Sequence, residues 1–314
     1  MTAGVVKYWL DSGKLDLPLP GSGATARRWQ RLSALAQEDL VAARVAQSHI
    51  DAVAILDELG GKPVQAGQLW GVWDVEDPEA TVTATPTDDG TVTLSGTKTW
   101  CAGASFCTHA LVTAQGHDGA DSLFAVSLWD PTVRALPSEW TNPGMVGSDT
   151  RAVKFSNTAA VPVGEPGQYR NRPGFWHGTI EAAACWFGGA REVARPLYEH
   201  CARDGADAHA LAHLGAVDAA VAAAEAMLSV SAAQIDADPF DRAGQGELLA
   251  RRVRAVVETA VDETITRVGR ALGPAPLCRS EFHARRVTDL SIYVRQSQAE
   301  RDLAALGALV DAPA

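Results

Sequence analysis

The apolar residues of this chain change their period twice along its length, and few folds accept that order. From Thr25 to Leu59, the residues Trp29, Leu32, Ala36, Leu40, Ala43, Ile50 and Ala54 recur at helical spacing, with Arg28, Gln30, Glu38 and Arg44 on the opposite face. Gly60-Gly61 ends that pattern, and Pro63 prevents its resumption. From about Pro63 to Arg170 the period becomes that of strands: ATVTATP, TVTLSG, THALVTAQ, SLFAVSLW and RAVKFSN, with a turn expected at Asp88-Asp89-Gly90. Beyond Pro173 the chain is Ala-rich and helical again, with helices expected near 178–203, 208–236, 245–272 and 282–307. The expected fold class is α+β: a helical region over 1–62 after an opening loop, an antiparallel β-domain over 63–170, and a four-helix bundle over 171–314.

Charge and cysteine use exclude some functions. The formal charge is -11, from 27 basic and 38 acidic residues, without a polybasic run, which argues against a nucleic-acid or anionic-membrane partner. Five widely spaced cysteines without a CxxC read as free thiols in a reducing compartment, and Asp11 and Asp16 interrupt what a signal peptide would need to be apolar. A cytoplasmic location is expected. His209 and His213 stand four apart on an expected helix but lack a third ligand, so no metal site is assigned. No P-loop, Rossmann glycine pattern or nucleophile-elbow serine occurs.

Two stretches narrow the field. DGTVTLSGTKTWCAGASFCTHALVTA (89–114) and MVGSDTRAVKFSNTAAVPVGE (145–165) resemble β-domain segments of the acyl-CoA dehydrogenase superfamily, whose order of helices, β-domain and bundle matches this chain. TDLSIYVRQSQAERDLAALG (288–307) extends the resemblance to the C-terminus. The N-terminal helical region is shorter than is usual in that family, so this chain resembles a trimmed member.

The resemblance implies FAD as cofactor. Trp100 occupies the position of the strand tryptophan that covers the flavin ring, and an indole suits a flat apolar ring; a tryptophan buried in the core is the alternative. At Ala102 the family's hydroxyl residue is missing, leaving only backbone. LWGVWDVEDPE (69–79) stands where a Thr-Glu strand and a Gly-Ser-Asp loop are usual, with Val72 and Trp73 offering backbone amides. Arg203 aligns with the arginine of a pyrophosphate-binding Arg-x-x-Phe-Gly, the rest of which is lost. Arg270 and Gly273 are what remains of a Gln-x-x-Gly-Gly segment. Ser148 and Arg151 would border the substrate.

The catalytic carboxylate of α,β-dehydrogenation is missing where most relatives carry it, because residues 290–299 contain neither Asp nor Glu. Glu181, in GFWHGTIEAAACWFGGARE, falls close to the alternative position of the base on the helix after the β-domain, with His177 one turn earlier. Three functions therefore stay open: desaturation of an acyl thioester or related carbonyl compound, with acyl-CoA among the candidates; redox chemistry of the family's monooxygenase branch; and a non-catalytic binding or partner subunit. The resemblance also implies a homodimer or a dimer of dimers.

Overall fold

The computed structural model describes residues 1–88, 91–116, 119–203 and 205–310, and the chain forms two compact units. The first comprises Met1–Leu17, Arg44–Asn142 and Val146–Phe175; the second comprises Pro18–Ala43, Pro143–Met145 and Trp176–Ala314.

The first unit is built on a closed β-barrel. Its strands are β1 (Trp70–Trp73), β2 (Val82–Pro86), β3 (Val92–Cys101), β4 (His109–Gln115), β5 (Asp121–Ser127), β6 (Val133–Ala135) and β7 (Arg151–Val163). The ring runs β4-β2-β3-β7-β5 and returns to β4, with β1 attached to β4 and β6 to β7. The expectation of an antiparallel domain needs correction, since β1 and β2 both pair with β4 in parallel. β1 has only four residues, two of them Trp, and so short a run carries no signal of direction. Of the expected turn, Asp89 and Gly90 lie outside the described residues; below it the Thr87 N–H donates to the Thr91 carbonyl.

Alternation decides which residues fill the barrel. On β4, Ala110, Val112 and Ala114 point inward beside Trp73, Leu94, Phe124 and Phe155. Leu111 points outward, into a second core with Ile55, Leu56 and Leu59. β4 is therefore covered on both faces, which is why its sequence is almost continuously apolar. The residues against Leu111 belong to helix α3 (Leu40–Glu58), which also finishes the open edge of β1. The Trp70 N–H donates to His49 Nδ1 at 3.2 Å, and the Val72 N–H to Ser48 Oγ at 2.8 Å.

Two expectations about the N-terminal region change. The opening residues are not a loop: α1 (Thr2–Asp11) buries Val6 and Trp9. The single helix expected from Thr25 to Leu59 is two, α2 (Thr25–Glu38) and α3, because Asp39 is extended (φ -152°, ψ 109°) and its Oδ1 accepts the Ala42 N–H. Asp39 thus caps α3. The Gly60-Gly61 stop acts as expected, with Gly60 at φ +67° and the Gly61 N–H on the Leu56 carbonyl.

After the short α4 (Gln168–Asn171), helix α5 (Pro173–Cys201) leads into the second unit. That unit carries α6 (Ala208–Ala237), α7 (Gly246–Leu272), α8 (Ala275–Arg279), α9 (Glu281–Tyr293) and α10 (Glu300–Leu309), with α2 packed on α6. By length and composition alone α6 could cross a membrane; here it packs against α7. The helix expected over 282–307 is broken at Val294–Ala299. Ala299 takes a left-handed φ of 43°, the Ser297 hydroxyl donates to Glu258 Oε2 on α7, and Asp302 Oδ2 accepts the Gln298 N–H. These contacts with α7 and with the next helix outweigh the local helical preference.

Candidate functional site

Trp100 is the one expected ring-binding side chain that faces outward. It is 58% exposed, so it is not a core residue. Between Lys98, paired with Val153, and Cys101, paired with Arg151, β3 carries one extra residue. Such a bulge re-aims side chains. Trp100 sits in it at φ 59°, a left-handed conformation that costs a bulky residue about 1–2 kcal/mol. Trp140 stands edge-on to it, with centroids 6.4 Å apart. The result is an exposed indole face held at the end of a rigid barrel strand.

The neighbouring expected residues are turned to internal duties. Trp73 is buried in the barrel, and its Nε1 donates to the Ala102 carbonyl at 3.1 Å. Trp73 and Ala102, which the resemblance set beside the cofactor, here bond each other. The Val72 amide is given to Ser48. The Val72 N–H, expected to meet a ring edge, is therefore taken by Ser48, and the Ala102 carbonyl accepts from Trp73.

The Ser148-Asp149-Thr150-Arg151 segment also differs from its expected role. Ser148 is buried; its Oγ lies 2.8 Å from Thr150 Oγ1 and its carbonyl accepts the Gly103 N–H. Asp149, left-handed at φ 49°, accepts from the Ser105 amide and hydroxyl through Oδ2 and from Arg151 Nε through Oδ1. This clasp ties the residues after β3 to the start of β7 and keeps the Trp100 bulge in shape. Ser148 does not line an open channel, and Arg151 is engaged by Asp149.

Glu181 lies on α5 in the second unit and is fully buried. Its Oε1 accepts from Arg28 Nε of α2 at 2.6 Å, and Arg28, 1% exposed, also donates Nη1 to the Pro18 carbonyl. A carboxylate sealed in such a pair is held by a cation rather than presented to a substrate. His177 is buried as well. In the same unit Arg203 follows α5, Arg270 is in the last turn of α7, and Gly273 caps α7 at φ 63°. Both arginines are exposed, and neither makes an ion pair among the described residues.

Sequence reading missed two polar features. Ser48 and His49 give no signal, since a helix that caps a strand edge is a tertiary arrangement. Lys98 could have been noticed as a lone cation inside an alternating strand. It is 5% exposed, and its Nζ donates to the Thr113 carbonyl and hydroxyl at 3.0 and 2.8 Å. Among the described residues no group of three or more His, Cys, Asp or Glu side chains could hold a metal.

Barrel, outward tryptophan and long helices together define the class: the chain has the acyl-CoA dehydrogenase fold. Butyryl-CoA dehydrogenase from Megasphaera elsdenii superposes with a TM-score of 0.81 at 16% identity, over 98% of this chain and 88% of that one. TdsC from Paenibacillus sp. A11-2, in a complex with FMN and indole, gives 0.76 at 19% identity over 98% and 94%. Methanesulfinate monooxygenase MsuC from Pseudomonas fluorescens gives 0.77 at 19% over 98% and 90%. No family model and no curated protein matches the sequence.

Proposed function

We propose that this protein is a flavin-dependent oxidoreductase. The observation that carries the reading is Trp100, a large apolar face turned outward by a strained bulge and braced by the Asp149 clasp. Strain of this kind persists where the surroundings enforce it, and such sites are enriched in ligand clamps. The residues fit a flat ring stacked on the indole; in the second unit, Arg203, Arg270 and Gly273 are candidates in their own right for holding a phosphate group. The polar contact to a ring edge expected of the Val72 N–H does not fit, because Ser48 Oγ takes that donor. Similarity in fold to a butyryl-CoA dehydrogenase and to a TdsC complex that holds FMN supports a flavin without deciding between FAD and FMN.

A bound flavin would supply a two-electron acceptor. The finer reading is desaturation of an acyl thioester or a related carbonyl compound. It requires a base, and Glu181 could serve only by leaving its pair with Arg28. We read α5, α6, α7 and the α9–α10 pair as the bundle of this fold, and α1–α3 as its N-terminal helical part. A homodimer is supported by the length of apolar surface on α6. A cytoplasmic, reducing location is supported by five free cysteines.

The test is the visible absorbance of the purified protein, repeated after incubation with FAD or FMN and desalting. Retained flavin in wild type, and its loss in Trp100→Ala with an unchanged far-UV spectrum, is the expected result. No retention of either flavin sinks the oxidoreductase reading and leaves a binding or partner subunit. If flavin is retained, bleaching by an acyl-CoA panel supports the desaturase, whereas oxygen uptake without bleaching assigns the other redox chemistry.

A further inference from the structure

The barrel closes poorly at one place. Among the described residues β2 and β4 are joined only at Thr83 and Gln115, and a cavity of about 300 Å3 opens beside that junction. Lys98 and Thr113 border it from β3 and β4, with Glu76, Asp77 and Asp121 around it and Ala80–Val82 as a wall. All of these residues belong to the first unit, so the cavity is a feature of the barrel itself. That volume suits a ligand of a few heavy atoms at the low end of ordinary sites.

The hydrogen-bond count at Lys98 is unusual. Nζ has four positions: one holds Cε, and two are hydrogens given to the Thr113 carbonyl and hydroxyl. Among the described residues nothing accepts from the fourth, and no carboxylate forms an ion pair with it. At that position an ammonium has a third hydrogen to give to a molecule in the cavity, and a neutral amine has a lone pair. Burial favours the neutral amine, lowering the Lys98 pKa against the opposing fields of Asp74, Glu76 and Asp121. A buried amine beside a cavity is the arrangement in which lysine becomes a nucleophile. The carboxylates are partly engaged: Glu76 with Arg170, and Asp77 with the Thr99 hydroxyl.

We propose that Lys98 is an amine nucleophile that forms an imine with a small aldehyde or ketone admitted to this cavity. The lone pair of Nζ attacks the carbonyl carbon, and the C=O π pair moves onto oxygen. One proton passes from nitrogen to that oxygen, with the Thr113 hydroxyl in reach as relay, giving a carbinolamine. The remaining N–H proton then joins the departing hydroxyl as water while the C=N bond forms, so nothing is oxidised or reduced. Glu76, Asp77 and Asp121 would stabilise the cationic iminium form, and they disfavour anionic carbonyl compounds. The site is independent of the flavin reading, since it uses neither Trp100 nor any residue of the second unit.

The chain has five lysines, so wild-type protein supplies its own controls: Lys7, Lys62 and Lys154 are exposed, Lys14 is half-buried and Lys98 is buried. Wild type is treated with limiting propanal and cyanoborohydride near about pH 7, where ordinary lysines are charged, and the alkylated lysines are mapped by peptide mass. Lys98 is expected to be modified about ten-fold or more faster than the exposed lysines. Glyoxylate, an anionic aldehyde of similar size, is expected to lose that preference. Equal or slower modification of Lys98 by propanal overturns the proposal, and needs no variant that could fail to fold. A Lys98 preference that is the same for propanal and for an aldehyde too large for the cavity also overturns it, because the chemistry would then not depend on the cavity.

Discussion

Replacing Arg28 by Met tests whether Glu181 is a structural anion or a group available for chemistry. Both side chains are sealed, at 1% and 0% exposure, and Arg28 Nε donates a charge-assisted bond to Glu181 Oε1 at 2.6 Å. Removing one partner of a buried pair costs about 3–5 kcal/mol, because the remaining charge stays in a medium that solvates it poorly. The lost Nη1 bond to the Pro18 carbonyl lies within that range, since a typical net hydrogen bond is worth about 1 kcal/mol. A loss of about 4 kcal/mol lowers the folded-to-unfolded ratio by roughly a thousand-fold. The double variant Arg28→Met/Glu181→Leu removes both charges and is expected within about 2 kcal/mol of wild type. Urea titrations of wild type, both singles and the double, followed by tryptophan fluorescence, close the cycle. A single variant that loses less than about 1 kcal/mol would refute the reasoning. It would mean that the Glu181 carboxylate reaches water or takes a proton without penalty, and it would restore Glu181 as a base.

Burial lowers the His49 pKa to about 4, against an opposing field from Asp16. The unfolded chain therefore binds this proton first, and stability present above pH 6.5 falls as the pH drops from 6.5 towards about 4. The loss approaches about 3 kcal/mol, and His49→Asn, which keeps an acceptor near the Nδ1 position, should flatten the urea midpoint against pH. Gly188→Ala is expected to destabilise by about 1–3 kcal/mol, although alanine normally favours a helix interior, since its Cβ would lie 2.3 Å from the Ser33 carbonyl oxygen of α2; an unchanged thermal midpoint would contradict the close approach of α2 and α5. Burial raises the Cys107 thiol pKa to about 12 and that of Cys101 also, while Cys278 is exposed. Iodoacetamide should thus modify Cys278 first and reach Cys101, Cys107 and Cys185 only in denaturant, as read by intact mass.

The strands were legible because their alternation is a local signal enforced by a barrel with an inside and an outside. ALVTA on β4 reads as apolar because Leu111 packs on α3 while its neighbours fill the barrel. The direction of β1 and the break before α10 were not legible, because each is decided by partners distant in sequence: β4 for the first, Glu258 for the second. At the candidate site the sequence singled out Trp100 but could not show the bulge that turns it outward. It also set Trp73 beside a ligand, whereas an indole N–H needs an acceptor when buried and found one in the Ala102 carbonyl. Glu181 kept its position and lost its availability, since Arg28 lies 153 residues away in sequence.

The outer edge of β1 has a consequence for how the molecule behaves at high concentration. A strand edge with open amides is a template on which another chain can lay a strand, and proteins that leave one open tend to grow into fibres or amorphous aggregates. Here Ser48 and His49 hold the Val72 and Trp70 amides from successive positions on a helix. A helical side-chain guard cannot be extended by a further strand. It also makes solubility a property of α3: protonating His49 releases one of those amides, so acid should promote clumping before it unfolds the barrel.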